Sequence, residues 1–216
     1  MFYLSKKVLT IHAIVLVFFA LILLYQSRFS FLIWNLILAL IPFDLSLVSR
    51  QFKHSRWRYL IAVLWLLFFP NALYMITDFS HLSSIGVGLS TAYQFVEYAI
   101  LAGGVFIGVG LGLTSLFILY PLLIPNHQRL THQAITFGIL SVCSSIAIYL
   151  GRFLRINSWD VFYQLHTTIA SVFGILNQAN FWIFVIAFSI LQLVLMLMGY
   201  QLAQMLAKES LDTKTG

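Results

Sequence analysis

The sequence predicts an all-α fold: a polytopic transmembrane helix bundle with about six spans, plus one helix that lies at the outer membrane surface or re-enters the bilayer. Three observations lead to this prediction. Hydrophobic residues make up 61% of the 216 residues, charged residues make up only 8%, and several apolar runs are long enough to cross a bilayer. A soluble domain carries about 25% charged residues. The composition therefore excludes a soluble enzyme, a nucleic-acid-binding protein and a disordered chain.

Six segments have the length that a spanning helix needs, which is about 20 mostly apolar residues for a hydrocarbon core of roughly 30 Å. Lys6 and Lys7 precede the first segment, which has no convincing cleavage site, so we interpret it as an uncleaved signal anchor. The linker 26–30 is so short that the first two spans must form an antiparallel hairpin. The predicted spans are 8–25, 31–49, 59–77, 92–120, 133–151 and 181–206.

The basic residues predict which end of the bundle faces the cytoplasm. If the basic loop at 50–58 is cytoplasmic, nine of the twelve lysines and arginines lie inside, and only Arg28, Arg152 and Arg155 lie outside. This is the bias that the positive-inside rule describes. We therefore expect a multi-pass protein of the cell membrane with both termini in the cytoplasm. Residues 1–207 form a single transmembrane domain in this interpretation, and 208–216 form a polar cytoplasmic tail.

Two segments deviate from a plain span. The segment 92–120 is about 29 residues or roughly 43 Å long as a helix. It must tilt or begin outside the hydrocarbon, which places Glu97 at the outer interface. The segment 161–176 is too short and too polar to cross the bilayer. We expect it to form an interfacial or re-entrant helix on the outer side.

The fourth span carries glycines four residues apart, a pattern that lets two helices approach closely. Gly104, Gly108 and Gly112 share one helix face. We favour packing against a neighbouring span of the same chain, because a small bundle needs a close helix crossing. The alternative is that these glycines bind a second copy of the chain, as a homodimer, or a partner subunit.

A polar stripe is predicted at the outer end of the third span. Asn71, Tyr74, Asp78 and His81 are spaced by 3, 4 and 3 residues, so a continuing α-helix presents them on one face. An aspartate and a histidine three residues apart can share a metal, or the carboxylate can orient the imidazole as a base. The alternative is that Asp78 and His81 cap a helix end at the interface.

A second polar group follows the fifth span. Arg152 and Arg155 share a helix face and could hold a phosphate or a carboxylate. The alternative is that both arginines extend to lipid phosphates. Because an arginine pair is unusual on the outer side, we expect a specific partner among Asp78, Glu97 and Asp160.

Two blocks of sequence resemble a known family. WLLFFPNALYMITDFSHL (65–82) and GRFLRINSWD (151–160) are similar to the two signature blocks of a bacterial integral-membrane family catalogued only as a domain of unknown function, number 1361. Leu73 stands where the family pattern has a second proline, so a milder kink is expected here. The resemblance implies a bacterial multi-pass protein and gives no activity. It increases our interest in Asn71, Asp78, His81, Arg152, Arg155, Asn157 and Asp160.

Three classes of function remain. The leading interpretation is an outward-facing Asp/His/Arg site that binds or modifies an anionic lipid or an envelope precursor. One alternative is an accessory or structural subunit in which the polar residues hold helices together. The other is a small transporter, although the inner halves of the spans offer few polar residues. Membrane lipids are the expected partners in each case, and no nucleic acid is expected.

The candidate site residues fall into two groups. No established catalytic motif is present, and the sequence leaves the cofactor unknown. No metal ligand is predicted, because two nearby arginines would repel a cation. The candidate acid–base residues are Asp78, His81 and Glu97. The candidate substrate-binding residues are Arg152, Arg155, Asn157, Asp160, Asn71, Tyr74 and His166.

Overall fold

The computed structural model describes residues 6–52, 54–156, 163 and 165–215. Within these residues the chain forms seven α-helices and one 3₁₀ helix, η1, and no strand, which confirms the all-α prediction. The elements are α1 (Lys6–Leu24), α2 (Phe31–Gln51), α3 (Trp57–Tyr74), η1 (Met75–Ile85), α4 (Ala92–Leu123), α5 (Leu130–Phe153), α6 (Leu165–Ile175) and α7 (Ala179–Thr215).

Six helical segments in the described part of the chain are long and apolar enough to cross a membrane, which confirms the predicted number of spans. They are α1, α2, α3 with η1, α4, α5 and α7. The remaining helix, α6, has 11 residues. Its length of roughly 16 Å is too short to cross the hydrocarbon core. The protein is therefore a membrane-embedded helix bundle.

Two helices continue beyond their predicted ends. α4 reaches Leu123 and includes Pro121 in its last turn, where a proline removes only one backbone hydrogen bond. α7 continues to Thr215, through the segment that we expected to form a separate polar tail. Good helix formers such as Leu206, Ala207 and Lys208 favour this continuation.

The bundle has two ends, which we name by their connections. The hairpin end holds residues 25–30, which join α1 to α2, and the basic-loop end holds residues 52–56, which join α2 to α3. α2 and α3 are antiparallel, since Asn35 near the start of α2 contacts Asp78 just after α3. α3 and α4 are also antiparallel, and the Trp65 indole N–H donates to the Ser115 hydroxyl across 3.0 Å. α4 packs on α2 and α3, whereas α5 packs on α3 and α7.

Two contacts, one between side-chain amides and one between aromatic rings, show that α5 and α7 run antiparallel. Gln201 in the second half of α7 donates to Gln133 near the start of α5 across 2.7 Å. Towards the other end, the rings of Tyr149 and Phe181 lie 5.0 Å apart. The connection that contains α6 therefore leaves and returns at the hairpin end. This geometry confirms that the short segment between the fifth and sixth spans does not cross the membrane.

The glycine ladder of α4 packs inside the chain. A Cβ atom built on Gly112 would lie 2.7 Å from the Cβ of Ala72 on α3, and one on Gly104 would lie 2.9 Å from the Leu32 side chain on α2. All three ladder glycines are buried within the chain. The contacts of Gly104, Gly108 and Gly112 are, in that order, with Leu32, Met75 and Ala72.

The 3₁₀ helix changes the faces that the sequence predicts. η1 has 11 residues, whereas 3₁₀ segments longer than three or four residues are uncommon. Because the α-helix ends at Tyr74, the expected single stripe was wrong in its second half. Asn71 and Tyr74 line a cleft beside α5, whereas Asp78 and His81 contact α2.

Candidate functional site

A cleft of about 250 Å³ opens between α2 and α5, and α3 forms its floor. The cleft lies in the half of the bundle nearer the hairpin end. Most of its lining is apolar, as is typical of small-molecule sites. The lining side chains that carry a polar atom are Trp34, Asn35, Asn71, Tyr74, Cys143 and Ser144.

The lining of the cleft is ordered along its length. Trp34 and Asn35 lie in the first turns of α2, and Tyr74 lies opposite Gly151 at the end of α5, so they lie at the mouth of the cleft, which is at the hairpin end. Leu66 and Leu140 line the part nearer the middle of the bundle. The cleft is therefore mainly apolar, with Trp34, Asn35 and Tyr74 as polar side chains towards the hairpin end, where Leu150 and Ile156 also line it.

Asp78 lies behind the mouth of the cleft. Its side chain is only 1% exposed, and Asn35 donates a hydrogen bond to its Oδ2 atom across 2.8 Å. A buried carboxyl without a partner is costly, so this bond fixes the start of η1 to α2. Because Asn35 also lines the cleft, it connects the buried carboxyl with the open site.

Arg152 does not itself line the cleft but lies beside the lining residues Gly151 and Tyr74. It is partly buried, and its guanidinium donates to the Tyr74 hydroxyl across 3.4 Å and to the Ser80 hydroxyl on η1. Its positive charge interacts electrostatically with Asp78 and His81. No nitrogen of Arg152 lies within 4.0 Å of a carboxylate oxygen of Asp78. The guanidinium is therefore held by neutral hydroxyl groups, and its charge is not neutralised by an ion pair with Asp78.

His81 lies close to Asp78 in sequence but is not bonded to it. The imidazole packs on the Phe31 ring at the start of α2, with 4.7 Å between ring centroids. The predicted group thus forms in part. The structure brings Asp78, His81 and Arg152 near one another, and no hydrogen bond joins Asp78 to His81.

Glu97 belongs to a separate group at the hairpin end. It is fully buried in α4 and accepts a hydrogen bond from the Ser27 hydroxyl across 2.8 Å. The neighbouring Arg28 donates to the Ser84 carbonyl of η1 and lies over the Tyr93 ring, 5.9 Å from its centroid. Glu97 therefore stabilises the α1–α2 connection against α4 and does not line the cleft.

The remaining candidates lie beyond the end of α5. Arg155 is exposed and has a positive φ of 56°. The backbone N–H of Ile156 returns to the Leu150 carbonyl across 3.2 Å, as in a helix C-cap with one left-handed residue. His166 is exposed on α6. Asn157 and Asp160 lie outside the described residues.

Sequence reasoning did not identify four polar residues of the cleft as site residues. Trp34, Asn35, Cys143 and Ser144 line it, and only Asn35 had a recognisable signal, since a lone amide within an apolar span is unusual. In the part of the chain that the structure describes, no group of three or more His, Cys, Asp or Glu residues could hold a metal ion. The available chemistry at the mouth is therefore a cation, Arg152, with neutral amides and hydroxyls.

Comparison with known proteins gives one match. The family described as "Protein of unknown function (DUF1361)" matches residues 34–195, which include the cleft and Arg152. No curated protein and no solved structure matches the chain.

Proposed function

Because the chain belongs to the family described as Protein of unknown function (DUF1361), which carries no activity to transfer, we propose a function from its cleft: the protein binds an anionic lipid at the membrane. The hydrocarbon chain of the lipid occupies the apolar interior of the cleft, and its negatively charged head group binds Arg152. The observation that supports this proposal most directly is the contact of Arg152 with the cleft: its guanidinium donates to the hydroxyl of Tyr74, which lines a mainly apolar cleft.

The charge of Arg152 supports an anionic ligand. Arginine binds phosphate and carboxylate through several parallel N–H donors, and hydrogen bonds to a charged group contribute about 1.5–3 kcal/mol. Tyr74 and Ser80 hold the guanidinium through neutral hydroxyl groups, and it forms no ion pair with an acid in the described part of the chain. A head group that enters the mouth therefore meets an oriented positive charge.

The volume of the cleft supports a single hydrocarbon chain. Sites for drug-sized molecules measure roughly 300–1,000 Å³, and the cleft measures about 250 Å³. One chain of a lipid fits this space, and the rest of the lipid remains in the bilayer. Access is lateral, because Trp34, Leu66 and Cys143 on its lining are exposed on the side of the bundle.

The leaflet follows from the proposed orientation. Nine basic residues belong to the basic-loop end and three to the hairpin end. We infer from this bias that the basic-loop end and both termini are cytoplasmic. The mouth of the cleft then faces the outer leaflet of the cell membrane.

A lipid-binding function is better supported than a catalytic one. Asp78 and Glu97 are buried behind other side chains and His81 packs on the Phe31 ring outside the cleft. A general acid or base must come within hydrogen-bond reach of the reacting group. The Asn35–Asp78 bond instead joins α2 to η1, and the Ser27–Glu97 bond joins the α1–α2 connection to α4. We therefore propose that these two carboxyl groups hold the bundle together around the binding site.

The proposal is tested by lipid binding to purified protein. Arg152→Gln should weaken the binding of phosphatidylglycerol by about tenfold or more and leave the binding of phosphatidylcholine unchanged. Arg28→Gln is the matched control, because Arg28 lies at the same end of the bundle but contacts Ser84 and Tyr93, which do not line the cleft. Native mass spectrometry measures both lipids. Equal losses in the two variants, or none in Arg152→Gln, would contradict the proposal.

A further inference from the structure

An ion pair joins α1 to α2 in the half of the bundle nearer the basic-loop end. The Nε2 atom of His12 lies 3.2 Å from the Oδ1 atom of Asp44, and the imidazole also packs near the ring of Phe43, with 5.9 Å between ring centroids. Both members of the pair lie well inside their helices, about 9 Å from the start of α1 and about 10 Å from the end of α2. Ionisable residues at such a depth in a membrane protein are rare and commonly mark functional sites.

The contacts of His12 show that the pair holds a proton. Its Nδ1 atom lies 3.0 Å from the Val8 carbonyl oxygen, one turn earlier in α1. A carbonyl oxygen only accepts, so Nδ1 carries a hydrogen and donates it. A second hydrogen must stand between Nε2 and Oδ1, because two facing lone pairs at 3.2 Å would repel each other. The pair is therefore an imidazolium beside a carboxylate, or a neutral imidazole beside a carboxylic acid.

His12 is the main charged neighbour of Asp44, since it is the charged group that acts most strongly on this carboxyl. Arg50, on the same helix, lies about 9 Å farther along the axis and about 120° away around it. Asp78 and Glu97 lie at the hairpin end. The nearest titratable side chains of α1, α2 and the two helices that pack on α2 all lie closer to the basic-loop end; they are Lys6, Lys7, Arg50, Arg58, Tyr59 and Tyr120.

The first half of α1 (6–14) is weakly attached to the bundle. The buried residues of α1, Val15 and Ile22, lie at its middle and towards the hairpin end, and none of the residues 6–14 is buried. Phe18 packs on Gly103 of α4, where a built Cβ would lie 3.1 Å from the phenyl ring. Apolar packing therefore holds the second half of α1, and the contact of His12 with Asp44 is placed where such packing is sparse.

We propose that His12 and Asp44 form a binding site for one proton, and that this proton holds the first half of α1 against α2. When the proton leaves to water at the basic-loop end, a neutral imidazole that keeps its Nδ1 hydrogen remains opposite a carboxylate. The Nε2 lone pair repels the carboxylate, so the first half of α1 separates from α2 while its second half stays packed. The site is distinct from the proposed lipid site, because neither residue is part of the lining of the cleft.

The experiment measures the distance between α1 and the rest of the bundle as the pH changes. In a Cys143→Ser background, nitroxide labels are attached to Leu9→Cys on α1 and Leu60→Cys on α3, because both leucines are exposed. Purified full-length protein in maltoside detergent is measured by double electron–electron resonance from about pH 5 to about pH 10, a range that includes the usual titration of histidine. A second pair of labels, on Leu60→Cys and the exposed Ile135→Cys of α5, reports any change in the whole bundle.

At low pH the pair keeps its proton, so the distance from Leu9 to Leu60 should be short and narrowly distributed. As the pH rises and the proton leaves, this distance should lengthen and its distribution should broaden. The distance from Leu60 to Ile135 should stay constant, because α3 and α5 pack on each other without the pair.

Two variants assign the pH response to the pair. Asp44→Asn should keep α1 closed at every pH, because the amide N–H donates to Nε2 of His12 and does not titrate in this range. His132→Gln is the matched control and should keep the wild-type response. His132 is another histidine at the basic-loop end whose Nδ1 lies near a carbonyl oxygen, at 3.4 Å, but it pairs with no acid among the described residues.

Four results would overturn the inference: a distance from Leu9 to Leu60 that does not change with pH, an equal change between Leu60 and Ile135, a response that persists in Asp44→Asn, or a response that disappears in His132→Gln. The first two need no substitution in the pair, so they decide the question even if Asp44→Asn folds poorly. Because the measurement is a distance and includes no lipid binding, its failure leaves the proposed function unaffected.

Discussion

The amide of Asn35 donates a 2.8 Å hydrogen bond to the carboxyl group of Asp78, and this bond joins the first turns of α2 to the start of η1. The two residues are 43 positions apart in the chain. Asn35 lines the cleft while Asp78 lies behind it. The wall of the proposed lipid site is therefore held in place by a polar contact in an otherwise apolar part of the bundle.

Asn35→Leu should destabilise the protein by about 1–3 kcal/mol, because it leaves the buried Asp78 carboxyl without its donor. The double variant Asn35→Leu/Asp78→Leu should recover most of this loss, since replacing both partners by apolar groups removes the unsatisfied group. Thermal unfolding in detergent measures both effects. If the double variant were less stable than the single one by the full additive amount, the bond would not be the reason for the loss.

Gly112→Ala should destabilise the bundle by about 1–3 kcal/mol, because the new methyl group would lie 2.7 Å from the Cβ of Ala72 and the helices would have to separate. Gly110→Ala is the control on the same helix. A Cβ there meets nothing within 4 Å, so the change should be neutral or slightly stabilising. The midpoint of thermal unfolding of the two variants should therefore move by different amounts, and equal shifts would contradict internal packing of the ladder.

Arg155→Gly separates the backbone role of this residue from a binding role. Arg155 has a φ of 56°, a conformation that costs a non-glycine residue roughly 1 kcal/mol. Glycine should thus preserve or raise stability by up to about 1 kcal/mol. Phosphatidylglycerol binding should remain unchanged if Arg152 alone holds the head group. A loss of binding at unchanged stability would show that Arg155 also contacts the lipid.

The sequence was sufficient to predict the helices but not how they are arranged around the bundle. Hydrophobic length defines how many helices cross the bilayer, and it also defines the depth of each residue along the membrane normal. Depth alone placed Glu97 beside Arg152, since both lie near the same end. The structure shows that Glu97 contacts Ser27, on the α1–α2 connection, while Arg152 contacts Tyr74 at the end of α3. Position around the bundle depends on which helices pack together, and hydropathy carries no information on that.

The sequence did not predict the cleft, for the same reason. It exists because α3 packs on both α2 and α5 and leaves a space between them. The polar stripe was only half predictable, because its spacing assumed 3.6 residues per turn and the chain changes to a 3₁₀ helix at Met75.

The final prediction concerns the side of the membrane on which the cleft opens. In a Cys143→Ser background, single cysteines at Val87 and Gln178, both exposed at the hairpin end, should react with a membrane-impermeant maleimide in intact cells. A cysteine at His54, exposed at the basic-loop end, should react only after the membrane is permeabilised. The physical reason is the excess of lysine and arginine at the basic-loop end, which favours its retention in the cytoplasm. Val87 and Gln178 should also behave alike, because the antiparallel packing of α5 and α7 returns the chain to the end from which it left. If only His54→Cys were labelled in intact cells, the orientation would be the reverse, and the lipid site would lie in the inner leaflet. If Val87→Cys and Gln178→Cys behaved oppositely, the six-span fold would be contradicted.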